Sequence, residues 1–114
     1  MSKRVNIAGG SNWETIAFLL INQIVIREYH FFFRSQLMSS DNIDLATEFS
    51  ALLGHKKNPA HPEETLQRTI QNLRDKGFIN FLGQGEYKLT TDGYYKMLAT
   101  VESVKTVLKN TIKE

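Results

Sequence analysis

Apolar and polar positions change period along the chain, and each change predicts an element. Trp13, Ile16, Ala17, Leu20, Ile21 and Ile24 recur at helical spacing, which predicts a largely buried first helix over 12–27. Ser11, followed three residues later by Glu14, has the form of a capping box and marks its start. The aromatic run 29–33 is β-prone but too short for periodicity to assign. Both a short strand pairing with a later hairpin and a continuation of the helix fit it. Ser39, Ser40, Asp41 and Asn42 are polar capping residues ahead of Leu45, Ala46, Phe49, Leu52 and Leu53. That pattern predicts a second amphipathic helix of about ten to twelve residues ending at Gly54.

The stretch 61–90 carries the clearest change of period. Pro62 suits a first helical turn, where its missing N–H has no partner to lose, and Glu63 and Glu64 favour the positive end of the helix dipole. Leu66, Ile70 and Leu73 then form one narrow apolar stripe, and Gly77 supplies a left-handed stop, so a helix is predicted over 63–76. Beyond it Phe78, Ile79, Phe81 and Leu82 are β-prone, Gly83-Gln84-Gly85 supplies the positive φ of a tight connection, and Tyr87 and Leu89 alternate with Glu86, Lys88 and Thr90. This predicts a hairpin of short strands. From 91 to 114 the period is helical again, with Thr91 or Asp92 as cap. Met97, Val101, Val104 and Leu108 step by four, three and four, a coiled-coil-like seam with Leu98, Val107 and Ile112 beside it.

Residues 1–10 have no period, and Lys3, Arg4, Gly9 and Gly10 make them a mobile basic tail able to reach phosphates. The linker 54–62 contains Pro59 and Pro62, which forbid continuous helix, and the pair Lys56-Lys57. The expected organisation is therefore a tail over 1–10, one domain over 11–90 and a long C-terminal helix over 91–114. Its fold class is mainly α with a small antiparallel β-hairpin.

Composition narrows the function classes. At 114 residues the chain is one domain, and it has no cysteine, which excludes disulfides and thiolate zinc sites and favours an intracellular setting. With 14 Lys plus Arg against 12 Asp plus Glu, the net charge of +2 does not by itself argue for nucleic acid. No apolar leader is evident after Met1, and the segment 16–33 is interrupted by Asn22, Gln23, Arg27, Glu28 and His30, too many polar groups for a bilayer span. A cytoplasmic, nucleoid-associated protein without membrane contact is expected.

The chemistry lies on the polar face of the 63–76 helix. At steps of about 100° per residue, Glu64, Arg68, Gln71 and Asp75 point away from the apolar stripe, with Thr65 and Asn72 on the flank. Arg, Gln and Asn can bind guanine or adenine edges bidentately, and a helix followed by a hairpin is how a winged helix-turn-helix enters the major groove. The same composition also suits a merely solvated face. Thr65, Arg68, Gln71 and Asn72 are the base-facing candidates. Lys56, Lys57, Asn58, Arg74, Lys76 and Gln84 are the phosphate or minor-groove candidates, with Arg74 also able to serve as a salt-bridge partner.

No catalytic arrangement is present. Asp75, Glu86 and Lys88 have the order of a metal-dependent nuclease motif, but an exposed hairpin lacks the supported, water-excluding sheet such a site needs. His30, His55 and His61 lack ligand spacing. No enzyme activity, metal or cofactor is expected.

The run LQRTIQNLRDKGFINFLGQGEYKLT resembles the winged-helix domain that follows the nuclease domain in methyl-adenine-dependent and Dam-replacing restriction endonucleases, whose pattern is similar to LQxLRDxGxIxFLGxGxY. YKLTTDGYYKML resembles the Y-x-L-T-x-x-G close of the wing in many prokaryotic winged-helix regulators. The resemblance covers 42–98 and implies DNA binding, with 63–76 in the groove and the hairpin as wing. Glu63 and Glu64 depart from the more basic family pattern, and no counterpart of the nuclease domain is present. The expected function is double-stranded DNA binding by a stand-alone transcriptional regulator, homodimeric through Met97, Val101, Val104 and Leu108. The competing readings are a protein-interaction winged helix and an accessory DNA-binding subunit of a larger complex.

Overall fold

The computed structural model describes residues 12–28, 30–52 and 60–112. Within them the chain is mainly helical with a small antiparallel sheet. The elements are α1 (Asn12–Glu28), β1 (Phe31–Phe33), α2 (Arg34–Leu37), α3 (Ser40–Leu52), α4 (Pro62–Asp75), β2 (Ile79–Gly83), β3 (Glu86–Leu89) and α5 (Thr91–Ile112).

α1 is the centre of the molecule. Ile16, Ala17, Phe18, Leu20 and Ile21 are all but fully buried, because α3, α4, α5 and β1 pack around this one helix. Apolar residues on several sides of a helix are what such a central position requires. At its first turn Glu14 is buried and its Oε2 accepts from Lys76 Nζ at 2.7 Å, just past the end of α4. Ser11, the other half of the expected capping box, lies outside the described residues.

Of the run 29–33, which fits either strand or helix, Phe31–Phe33 form a strand, and Tyr29 lies outside the described residues. β1 pairs antiparallel with β3 in a sheet of order β1-β3-β2, so the expected two-stranded hairpin becomes a three-stranded sheet. Phe32 pairs with Tyr87 and their rings stack at 5.4 Å, while Phe81 lies 5.2 Å from Tyr87 on the other side. Pairing supplies the arbitration that a three-residue strand cannot give from its own pattern. Between β2 and β3, Gln84 and Gly85 both have positive φ, 52° and 77°, the signature of a type I′ turn. A bulge between Phe81 and Gly83 leaves Leu82 half exposed.

α4 ends as its residues dictate. Gly77 at φ +80° lets Phe78 N–H donate to Leu73 O and Gly77 N–H to Arg74 O, each at 3.0 Å, the two bonds of a Schellman stop. Ser39 Oγ accepts from Asn42 N–H at the start of α3. Two details differ from the sequence expectation there. A short helix, α2, precedes α3, and the core-facing side of α3 includes Ala46 and fully buried Ser50, whereas Leu52 is 60% exposed.

α5 is joined to the sheet through Thr90, which caps it in place of the expected Thr91 or Asp92. Its Oγ1 accepts from Gly93 N–H at 2.9 Å, and its N–H donates to Phe78 O at 3.0 Å. Helix and strand approach so closely here that a Cβ on Gly93 would lie 1.8 Å from Phe78 O. The apolar seam of α5 then faces inward. Met97 and Val104 are 1% and 6% exposed within this single chain, and Val101 and Leu108 pack half-buried against the same core. Met97 and Val104 thus serve the core of this chain, and α5 packs on α1. Among the described residues no helix is long and apolar enough to cross a membrane.

Candidate nucleic-acid interface

α4 sets the geometry of the candidate face. Leu66, Thr69, Ile70 and Leu73 are its buried side, and Glu63, Glu64, Gln67, Arg68, Gln71, Asn72, Arg74 and Asp75 are exposed on the other. The structure therefore brings Arg68, Gln71 and Asn72 together on one open surface. Their side chains differ in freedom. Gln71 Nε2 donates to Asp75 Oδ1 at 3.0 Å, one turn along the helix. Thr65 is half-buried, and its Oγ1 donates to His61 O at 3.3 Å, a local bond that leaves the hydroxyl oxygen able to accept. Thr69, one turn further, is buried and donates to Thr65 O.

The phosphate candidates separate into different environments. Gln84 stands at the tip of the β2–β3 turn and is exposed. Arg74 lies over the Phe81 ring, its guanidinium 5.1 Å from the centroid, so it is held by an aromatic face and not by the carboxylate considered from sequence. Lys76 is engaged by the buried Glu14 carboxylate. The lysine side chain remains about half exposed. Lys56, Lys57 and Asn58 lie outside the described residues.

Charge is the unexpected feature of this face. α4 carries three acids, Glu63, Glu64 and Asp75, against two bases, Arg68 and Arg74. Attraction for a polyanion must then come from neighbouring elements. Two cations stand beside the sheet. Lys88 lies over the Phe31 ring with Nζ 5.5 Å from the centroid, and Arg34 is exposed at the corner where β1 passes into α2. The Arg34 N–H donates to Gly85 O at 2.8 Å, which sets this residue beside the hairpin turn although 51 positions separate them. Nothing local in the sequence marks Arg34, because its position depends on β1 pairing with β3.

The residues of the nuclease-like order are engaged separately. Asp75 is bonded to Gln71, Glu86 is half-buried on β3, and Lys88 covers Phe31. His30 packs edge-on to Tyr94 at 4.8 Å. No cluster of three or more His, Cys, Asp or Glu that could hold a metal occurs among the described residues. Compared with known proteins, the chain matches no family, no curated protein and no solved structure.

Proposed function

We propose that this chain is a winged helix-turn-helix that binds double-stranded DNA, with α4 in the major groove and the β2–β3 turn as the wing, and that it regulates transcription. The element order supports this reading: helices α2–α3 precede α4, and a hairpin follows it, closed into a sheet by β1. The observation that carries it is the outward face of α4. Arg68, Gln71 and Asn72 are exposed there together, and their forked or paired donors match base edges. Gln84 at the turn would meet the backbone or the minor groove.

The outward side of α5, where Tyr95 is 63% and Leu98 39% exposed, offers a surface for a dimer on two half-sites beside the half-buried Val101 and Leu108. One observation favours a second reading. Glu63, Glu64 and Asp75 make the exposed surface of α4 weakly acidic, as would suit a basic protein partner. Such a partner is either a separate protein or the remainder of a larger DNA-binding complex in which this chain is an accessory subunit. Titrating the purified protein with random duplex DNA across a range of NaCl, alongside Arg68→Ala, separates these. Steeply salt-dependent affinity that Arg68→Ala weakens is the result expected for DNA. No duplex binding at low salt transfers the case to a protein partner.

A further inference from the structure

The corner between β1 and the β2–β3 turn is a cleft lined by Phe33, Arg34, Ser35, Met38, Gln84 and Gly85. It offers a guanidinium, a hydroxyl and a side-chain amide, all on exposed residues, and no carboxylate lines it. Phe33, 43% exposed, forms an apolar wall. The cleft is also built firmly. Arg34 N–H is bonded to Gly85 O, the Gln36 side chain accepts from Phe33 N–H at 2.7 Å, and Asn42 Nδ2 donates to Gln36 O at 2.7 Å. Its backbone is thus held from both the sheet and α3. Among the described residues Arg34 makes no ion pair. Glu86, paired with Phe33 across the sheet, is the acid nearest in register.

We propose that this corner is a second DNA contact, gripping one phosphate and its deoxyribose outside the groove that α4 reads. It deepens the duplex-binding reading and rests on it. Arg34 and Ser35 donate to the phosphate oxygens, Gln84 holds the same strand from the turn, and the Phe33 ring lies against the sugar. The arrangement provides the positive charge that α4 lacks. It also holds the duplex at two places, so the orientation of α4 in the groove is fixed by the corner as well as by base contacts.

The test is equilibrium binding of the full chain to one random 20-base-pair duplex, measured against NaCl, for the unaltered protein, Arg34→Ala, Glu86→Gln, Arg68→Ala and Lys109→Ala on the far helix. Loss of one phosphate contact lowers the slope of log affinity against log salt by about 0.9. Arg34→Ala is expected to show that change and to weaken binding about tenfold at low salt, as befits one charge-assisted contact. Glu86→Gln, which removes the neighbouring negative charge, is expected to tighten binding about two- to threefold, an effect that misfolding cannot produce. Lys109→Ala is expected to match the unaltered protein. An Arg34→Ala slope equal to that of the unaltered protein, while Arg68→Ala still weakens binding, overturns the corner and leaves the α4 reading standing. No binding by the unaltered protein overturns both.

Discussion

α4 and α5 are both amphipathic helices with a four-and-three apolar stripe, yet the chain uses them in opposite ways. In α4 the stripe of Leu66, Ile70 and Leu73 goes inward and a continuous polar face stays in water. In α5 the stripe of Met97, Val101, Val104 and Leu108 is regular enough to serve as an intermolecular seam, and within this chain it packs on the core, Met97 and Val104 fully and Val101 and Leu108 in part. The lesson is that an apolar stripe states that a surface will be covered and is silent on what covers it. The coverage of α5 is decided at its first turn. The latch of Phe78, Thr90 and Gly93 fixes the direction in which the helix leaves the sheet.

Substitutions that attack this contrast are ordered by expected size. Gly93→Ala strikes the latch itself, where the added methyl meets backbone that cannot yield, and is expected to destabilise the fold by about 3 kcal/mol or more in urea titration. Met97→Ala tests whether the α5 seam is intramolecular core. It is expected to lower stability by about 2–5 kcal/mol, as Leu73→Ala should on α4, with a urea midpoint that does not depend on protein concentration. A midpoint that rises with concentration would return the seam to a dimer interface. Lys76→Met leaves the Glu14 carboxylate buried without its lysine. Because the lysine is half-exposed, the expected loss is about 1–2 kcal/mol, smaller than for a fully buried pair. Thr90→Ala removes the cap of α5 and is expected to cost about 1 kcal/mol. Arg68→Ala is expected to change stability by less than about 0.5 kcal/mol while weakening duplex binding, which would mark the outer face of α4 as functional surface and not as fold.

Much of the fold was legible because it is written locally. The 63–76 helix was expected from Pro62, the 66/70/73 stripe and Gly77, and it is found as Pro62–Asp75 with a Schellman end at Gly77. The hairpin followed from Gly83-Gln84-Gly85, and all three residues do adopt positive φ. The exposed cluster of Arg68, Gln71 and Asn72 also follows from helical geometry alone. What was not legible depends on contacts distant in sequence. The third strand needed its partner on β3. Arg34 acquired its place from a bond to Gly85, and Lys76 acquired a partner in Glu14, 62 positions away. Leu52, counted on the apolar side of its helix, is exposed while Ser50 is buried, because α3 presents only a narrow side to the core.

The sequence by itself determined the elements with their own start, period and stop, and which face of α4 remains wet, because hydrogen bonding within a turn and burial of one stripe act over a few residues. Only the tertiary structure decided which strand completes the sheet, which helix covers the seam of α5, and which cations are free. Those outcomes follow from competition among distant surfaces and charges for the same partners, and a partner's identity is a property of the packed molecule, not of the segment that needs one.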